Sequence, residues 1–204
     1  MIRVLIAEDQ VMVRQALAML LDLEPDIEVV AQVSGGDAVV GAARDAAVDV
    51  ALLDIEMPGG DGLTAAGRVA RELPDVKVLI LTTFGRPGFL RLALENGAAG
   101  FLLKDAPAAE LAAAIRRTLN GERVVDPVLA ATALSDGANP LTPRELEVLE
   151  AARDEATVAD MARALHLSQG TVRNHLSVVI GKLAARNRVD AVRLAQAKGW
   201  LSAR

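Results

Sequence analysis

The chain contains 204 residues, enough for one large domain or two of ordinary size. Hydrophobic residues make up 52% of it, which excludes general disorder. The absence of cysteine excludes disulfides, thiol catalysis and cysteine-ligated zinc, and two histidines are too few for a histidine-rich metal site. Charged residues interrupt every apolar stretch, so no transmembrane helix is expected. The first residues lack the layout of a signal peptide, and we expect a cytoplasmic protein that is not inserted in a membrane.

Charge is distributed unevenly along the chain. Residues 1–121 carry a net charge of -6, whereas residues 173–204 contain seven Lys or Arg and one acidic residue, a net charge of +6. A basic segment on an otherwise acidic protein is typical of a nucleic-acid-binding surface. An ordinary solvated helix face has the same composition, so charge alone leaves both interpretations open.

Apolar runs of strand length alternate with helical patterns through the first 121 residues. The runs are continuous rather than alternating, as in strands buried on both faces of a sheet. They lie at Ile2–Ala7, Ile27–Val33, Asp49–Leu53, Val76–Leu81 and Ala99–Leu103, and the helical patterns lie near 11–23, 36–46, 62–73, 87–96 and 108–120. This order predicts a doubly wound α/β domain over residues 1–121 with a five-stranded parallel sheet.

The remainder of the chain follows two other patterns. Residues 122–139 are rich in Pro, Gly, Ser, Asp and Asn and are predicted to be a linker, in which Val128–Leu134 has the pattern of a short helix. For residues 140–204 we expect an all-helical domain. Its helices are predicted near 143–153, 157–165, 169–183 and 187–198, the first of them begun by the capping sequence Thr142-Pro143-Arg144-Glu145.

Polar side chains stand at the carboxyl ends of four predicted strands. They are Glu8 and Asp9, Asp54, Thr82 and Lys104. In a parallel sheet these ends meet at one edge, where ligand sites form. Clustered carboxylates favour Mg²⁺, with Asp9 and Asp54 as direct ligands and Glu8 acting through water. An aspartate beside this ion can attack a phosphoryl group, and Lys104 and the Thr82 hydroxyl would stabilise the added negative charge.

These segments resemble the receiver domain of bacterial two-component response regulators. The similar segments are Ala7-Glu8-Asp9, Asp54-Ile55-Glu56-Met57-Pro58-Gly59, Leu81-Thr82-Thr83 and Leu102-Leu103-Lys104-Asp105. The resemblance covers residues 2–121 and implies a flavodoxin-like fold in which a sensor histidine kinase phosphorylates Asp54. The Mg²⁺ ligands that it implies are Glu8, Asp9, Asp54 and the backbone carbonyl of Glu56.

The same resemblance implies a conformational switch made of Thr82 and Phe101. Thr83 is an alternative switch hydroxyl, and simple core packing is the alternative role of Phe101. Glu56 and Phe84 each follow a site residue by two positions, and we expect them to set the lifetime of the acyl phosphate.

A phosphatase of the haloacid dehalogenase type is a second interpretation of the acidic site, because it also uses an aspartate nucleophile with Mg²⁺. Such an enzyme requires a second aspartate two residues after the nucleophile, and its site usually lies on the first strand. Here that position is Glu56 and the site lies on the third strand, so we expect a protein that accepts a phosphoryl group without enzymatic turnover.

The helical part has the pattern of a helix-turn-helix. Met161–Ser168 gives the first helix and turn, and a polar second helix opens at Gly170. Arg and Asn are side chains that read base edges in the major groove, and hydroxyls at a helix N-terminus contact phosphate. The predicted DNA contacts are Thr171, Arg173, Asn174, His175, Ser177, Lys182 and Arg188. A helical protein-interaction module that binds no DNA is the alternative.

Residues 141–200 resemble the LuxR-type DNA-binding domain. The similar segments are Leu141-Thr142-Pro143-Arg144-Glu145-Leu146-Glu147-Val148-Leu149, Gly170-Thr171-Val172-Arg173-Asn174-His175, Lys182-Leu183 and Asn187-Arg188. With the receiver-like part, they identify the chain as a member of the NarL/FixJ class of response regulators. Ser177 departs from the Lys or Arg that is frequent at this position, which predicts weaker binding by a single domain.

The class implies promoter DNA as a partner and phosphorylation-driven dimerisation on paired half-sites, which would compensate for the weak single domain. Further segments, including Leu81–Gly88 and Lys198-Gly199-Trp200, resemble a regulator of a membrane fatty-acid desaturase. This similarity implies control of membrane lipid desaturation or of a membrane stress response.

Overall fold

A six-stranded parallel sheet is the centre of the first part of the chain. The computed structural model describes residues 1–83, 87–135, 139–153 and 157–201, except for the side chains of residues 87 and 132–135. It divides into two compact units, of which the first spans Met1–Leu134 and the second begins at Ser135. The strands are β1 (Ile2–Ala7), β2 (Ile27–Val33), β3 (Val50–Asp54), β4 (Lys77–Thr82), β5 (Gly100–Leu103) and β6 (Val124–Val125), in the order β2-β1-β3-β4-β5-β6.

The predicted doubly wound fold is confirmed, but the predicted number of strands is wrong. The sixth strand, β6, pairs in parallel with β5, with Phe101 opposite Val125. It was not predicted because two residues are too few to show a strand pattern. The helix Pro127–Ser135 follows β6 and confirms the short helix predicted at Val128–Leu134. Within the described part of the segment predicted to be a linker, only the strand was not expected.

Helices cover both faces of the sheet. They are α1 (Val11–Leu21), α2 (Val39–Asp45), preceded by a 3-10 turn at Gly36–Ala38, α3 (Gly62–Glu72), α4 (Pro87–Glu95), α5 (Ala108–Leu119) and α6 (Pro127–Ser135). Strand β3 is buried along its whole length, and its residues alternate between two apolar clusters. Leu53 packs with residues of α2, α3 and α4, whereas Leu52 packs with residues of α1 and α5. Burial on both faces explains the continuous apolar runs in the sequence.

The second unit is helical where the structure describes it. Its helices are α7 (Pro143–Ala151), α8 (Val158–Ala164), α9 (Gln169–Lys182) and α10 (Arg188–Ala197). Capping boxes begin α7 at Thr142 and α8 at Thr157, and Ser168 caps α9 through its hydroxyl. These four helices confirm the predicted ones, because the caps that begin them are local and legible in the sequence.

The core of the second unit is a cluster that includes Val148, Leu149, Val172 and Val179, all fully buried. Among the described residues, no helix combines the length and the apolar character needed to cross a membrane.

Candidate functional site

Four neighbouring strands bring the predicted acidic site together. Because β1, β3, β4 and β5 are adjacent and parallel, their carboxyl ends share one edge of the sheet. Glu8 and Asp9 follow β1, Asp54 and Thr82 are the last residues of β3 and β4, and Lys104 follows β5. The five residues predicted from the sequence therefore lie at one edge.

Lys104 is ion-paired with two carboxylates. Its Nζ lies 2.6 Å from Glu8 Oε2 and 2.9 Å from Asp54 Oδ2, with all three side chains largely buried. Burial acts to lower the pKa of Lys104, but hydrogen bonds to Glu8 and Asp54 outweigh it, so this pKa is raised. The ammonium therefore stays protonated and offsets the repulsion between two carboxylates in a medium of low dielectric.

Glu8 is held at several of its polar atoms. Its Oε1 accepts a hydrogen bond from the backbone N–H of Gln10 at 3.2 Å, and its backbone carbonyl accepts one from Arg14 Nη1 at 2.5 Å. Burial raises the pKa of Glu8 above its ordinary value, against the opposing hydrogen bond from Lys104. The orientation of the Glu8 side chain is therefore fixed at the edge of the site.

Asp54 presents its carboxylate to a pocket at this edge of the sheet. Its Oδ1 accepts from the backbone N–H of Ile55 at 2.7 Å, and its Oδ2 accepts from Lys104. The pocket is lined by Asp9, Gln10, Asp54, Glu56, Thr82, Thr83 and Phe89. An aspartate that is oriented by two donors and faces an open pocket is a suitable nucleophile for an incoming phosphoryl group.

The donor set fits a hard divalent cation. Carboxylate oxygens of Glu8, Asp9 and Asp54 lie within 4.8 Å of one another, and Mg²⁺ prefers such oxygen ligands while keeping several waters. Asp9 is exposed at the rim of the pocket, whereas Glu8 and Asp54 are buried. The Glu56 side chain is exposed, and Glu56 also lines the pocket.

The loop after Asp54 is held close to it by a glycine. The side chain of Asp61 caps α3 by accepting from the backbone N–H of Thr64 at 2.7 Å. At the next position, Gly62, an added Cβ would lie 1.9 Å from the backbone oxygen of Asp54. Only glycine lets the start of α3 approach the end of β3 this closely.

One of the two predicted switch residues lines the pocket, and the other is buried in the core. Thr82 is 5% exposed and lines the pocket, and its backbone carbonyl accepts from the Lys104 N–H at 2.9 Å. Phe101 is fully buried in the apolar cluster on the α2–α4 face of the sheet. Thr83, the alternative hydroxyl, is exposed and also lines the pocket, whereas Phe84 lies outside the described residues.

Two further lining residues, Gln10 and Phe89, were missed in the sequence. Gln10 directly follows the acidic pair, so its adjacency was the available signal. Phe89 lies on α4, and no local pattern connects it with Asp54 because tertiary packing alone brings it to the pocket.

Helix α9 presents a polar surface in the second unit. Arg173, Asn174 and Ser177 are exposed, and Thr171 and His175 are half-buried. The Arg173 Nη2 donates to Gln169 Oε1 at 3.3 Å, one helical turn earlier. His166 lies in the turn before α9 with φ of 53°, a conformation that histidine adopts more readily than most residues. This arrangement is a helix-turn-helix with the predicted base-reading residues on the exposed side of its second helix.

Lys182 lies at the end of α9 in an ion pair. Its Nζ donates to both carboxylate oxygens of Glu145, at 2.7 and 2.9 Å. Glu145 is buried, and the hydrogen bond from Lys182 lowers the pKa of its carboxyl group, with a further contribution from the Thr142 N–H. Lys182 therefore connects the end of α9 with the capping box that begins α7.

Arg188 is the first residue of α10 and is half-buried. Two neighbouring basic side chains converge on Asp190, which is 8% exposed and accepts from Arg186 and Arg193. The hydrogen bond from Arg186 lowers the pKa of Asp190. The guanidinium groups of Arg186 and Arg193 are thus held near the start of α10.

Comparison with known families identifies both parts of the chain. Residues 4–116 match the response regulator receiver domain, and residues 139–195 match the LuxR family of bacterial regulatory proteins. The chain belongs to the two-component response regulators of the NarL/FixJ class, with a receiver domain and a LuxR-type DNA-binding domain.

Individual relatives extend over nearly the whole chain. The transcriptional regulatory protein DesR of Bacillus subtilis (strain 168) is 46% identical over 202 residues, which are 98% of this chain and 99% of DesR. The uncharacterised transcriptional regulatory protein YvfU of the same organism is 46% identical over 201 residues, 98% of this chain and 100% of YvfU. The predicted resemblance to the response regulators of the NarL/FixJ class is therefore confirmed.

Solved structures show the same two-part architecture. The response regulator ChrA of a heme-sensing two-component system superposes with a TM-score of 0.59 at 35% identity, covering 96% of each chain. An RcsB–DNA complex superposes with a TM-score of 0.68, covering 96% of this chain and 98% of RcsB, and at 24% identity it supports the fold alone.

Proposed function

We propose that this protein is a transcriptional regulator whose DNA binding is activated by phosphorylation of Asp54. The observation that carries the proposal is the position of Lys104, whose ammonium contacts both Glu8 and Asp54, the second of which lines the pocket. Such a cation stabilises the negative charge that an aspartate gains when it accepts a phosphoryl group. The helix-turn-helix on the same chain provides the output.

The proposed chemistry is transfer of a phosphoryl group from a phosphohistidine of a sensor kinase. An oxygen of the Asp54 carboxylate attacks phosphorus, and the new O–P bond forms as the N–P bond breaks. The departing ring nitrogen takes up a proton from solvent, so that the histidine leaves as neutral imidazole. Lys104 and the Thr82 hydroxyl stabilise the transferred charge. Asp9, Asp54 and the Glu56 carbonyl would hold Mg²⁺, with Glu8 acting through water. The bound ion would neutralise charge on the phosphoryl oxygens.

The proposed switch follows from the same contacts. An acyl phosphate carries more negative charge than the carboxylate it replaces, and the Thr82 hydroxyl is a neutral donor that lines the pocket. Movement of Thr82 toward the phosphoryl group would leave space that Phe101, buried in the adjoining cluster, can occupy. The phosphoryl group then favours one conformer over the other, as a ligand-driven change requires.

The proposed DNA contacts fall into two groups. Arg173 and Asn174, both exposed on α9, read base edges, and the remaining predicted residues position the domain on phosphates. These are Thr171, His175, Ser177, Lys182 and Arg188. Of them, Lys182 is engaged with Glu145, so its ammonium would have to contact phosphate while it keeps that ion pair. Two copies on adjacent half-sites would bind as a dimer.

The regulated process follows from the relatives alone. The segments that resemble a regulator of a membrane fatty-acid desaturase, together with 46% identity to DesR over almost the full chain, support control of membrane lipid desaturation or of a membrane stress response. A sensor histidine kinase would be the partner. YvfU is equally similar, so the choice of target genes requires a direct test.

Selection of genomic DNA fragments by the purified protein provides that test. The protein is incubated with fragments in the presence and absence of acetyl phosphate and Mg²⁺, and the retained DNA is sequenced. A repeat that is enriched only after phosphorylation supports the proposal, and its neighbouring genes identify the process. Equal enrichment in both samples would reject gating by Asp54, and no enrichment in either would reject the DNA-binding output.

A further inference from the structure

The short strand β6 attaches the end of the first unit to strand β5. The backbone N–H of Val124 donates to the Ala99 carbonyl at 3.0 Å, and that of Asp126 donates to the Phe101 carbonyl at 3.2 Å. The neighbouring Gly100 permits this pairing, because a Cβ there would lie 2.8 Å from the Val124 oxygen. The main chain of Phe101, a proposed switch residue, is therefore hydrogen-bonded directly to the segment that contains β6.

Helix α6 continues from β6 and is anchored in the core. Asp126 begins the helix by accepting from the backbone N–H groups of Val128 and Leu129, at 2.8 and 3.1 Å. Leu129 is 6% exposed and belongs to the same apolar cluster as Phe101, whereas Val128 is 69% exposed. Leu129 is thus the side chain through which the first turn of α6 joins the core around the switch.

The same strand β5 leads to the phosphoacceptor. Lys104 follows its last residue, donates its backbone N–H to Thr82 and contacts Asp54 through its ammonium group. The four-residue strand β5 therefore connects the residue that contacts Asp54 with β6. At its other end α6 reaches Ser135, where the second unit begins.

We propose that β6 and α6 transmit the phosphorylation state of Asp54 to the second unit, with Leu129 as the residue that makes α6 follow the switch. This inference rests on the proposed function. New negative charge on Asp54 acts on Lys104 and Thr82. Lys104 directly follows β5, and Thr82 is the last residue of the neighbouring strand β4. A packed cluster responds by changing from one arrangement to another rather than by gradual deformation, so a shift of Phe101 displaces Leu129 and the helix that carries it.

A matched pair of substitutions in the full-length protein tests this role. Leu129→Glu places a charge in the cluster, whereas Val128→Glu places the same charge at the adjacent exposed position. Both variants should incorporate phosphate from acetyl phosphate to the same level as the wild type. The Val128→Glu variant should keep the phosphorylation-dependent gain in DNA affinity, on the order of 5- to 150-fold for an ordinary allosteric coupling. The Leu129→Glu variant should bind DNA equally with and without phosphate.

Retention of the full gain by a folded Leu129→Glu variant would overturn the inference. If that variant does not fold, Leu129→Ala should show a smaller gain than Leu129→Met, and equal gains would reject the role of this side chain.

Amide hydrogen exchange separates this inference from the proposed function. On addition of acetyl phosphate and Mg²⁺, exchange across residues 122–131 should change in the wild type and stay constant in Asp54→Ala. If the wild type is phosphorylated at Asp54 but amide exchange across this segment does not change, transmission through β6 is refuted. Absence of labelling at Asp54 would instead refute the proposed function, and with it the input to β6.

Discussion

Lys104 Nζ lies 2.9 Å from Asp54 Oδ2, and this buried ion pair is the central contact of the acidic site. The same ammonium lies 2.6 Å from Glu8 Oε2, so a single positive charge serves two carboxylates. Without it, two buried negative charges would face each other in a medium of low dielectric, which is unfavourable. Lys104 therefore has a structural role in this site, and the proposed function gives it a chemical role as well.

The replacement of Lys104 by Met should affect stability and phosphorylation together. Removing one partner of a buried ion pair costs about 3–5 kcal/mol, because it leaves an uncompensated buried charge. Urea unfolding should show that loss, and labelling by acetyl phosphate should fall strongly. Lys77→Met, at the opposite end of β4, is the control and should change neither property greatly. Wild-type labelling in Lys104→Met would contradict the proposed chemical role.

Asp54→Ala should abolish incorporation of phosphate. This carboxylate lines the pocket and is oriented by two donors, whereas Asp105 is exposed and adjacent to Lys104 in the sequence. Asp105→Ala should therefore be labelled like the wild type. The measurement is the stoichiometry of acid-stable and base-labile phosphate on each protein, and phosphate that persists in Asp54→Ala would locate the acceptor elsewhere.

Gly62→Ala should destabilise the first unit. Its new Cβ would lie 1.9 Å from the backbone oxygen of Asp54. The backbone shifts that relieve such overpacking typically lower the free energy of unfolding by about 1–3 kcal/mol. Gly41 lies in helix α2, and a Cβ added there would have no neighbouring atom within 4 Å, so Gly41→Ala should stabilise by roughly 0.4–1 kcal/mol. Thermal unfolding of both variants measures the contrast, and equal stability would show that the α3 start can move away from Asp54.

The acidic site was predictable because its residues stand at strand ends. Parallel strands converge at their carboxyl ends, so Glu8, Asp54 and Lys104 were expected together even though they are far apart in the sequence. The five longer strands and the four helices of the second unit could also be predicted, because apolar runs and helix caps are local sequence patterns.

Other features depend on contacts that no local pattern encodes. Strand β6 has two residues, and its pairing is decided by the exposed edge of β5 and by the room that Gly100 leaves. Lys182 has the sequence pattern of a phosphate contact, but its ion pair joins it to a residue 37 positions away. Such partners become known only once the helices are packed.

Arg173→Ala should weaken binding to the selected repeat by about 1–3 kcal/mol and relax the preference at one base pair. Arg173 is exposed on α9, the second helix of the helix-turn-helix. Arg163 is exposed on α8 and paired with Asp160, and Arg163→Ala should keep the wild-type sequence preference. Affinity and repeated selection of DNA fragments provide the two readouts. An unchanged preference in Arg173→Ala would reject its base-reading role.

The stability of the second unit should depend on the ionisation of Glu145. The hydrogen bond from Lys182 lowers its pKa below the ordinary value of 4.5, so the carboxylate stabilises the fold above that pH. The contribution is lost as the pH falls from about 4.5 through the lowered pKa of the folded protein. Urea unfolding of Glu145→Gln should therefore be less dependent on pH in this acidic window than the wild type.

Glu147→Gln is the matched control for this pH dependence. Glu147 lies on the same helix, but it is 53% exposed and its ion pair with Arg144 is at the surface, where such pairs contribute little. Its variant should keep the wild-type dependence on pH. If Glu145→Gln also kept it, then the ion pair between α7 and the end of α9 would make no net contribution to stability, and Lys182 would be free to act in DNA binding alone.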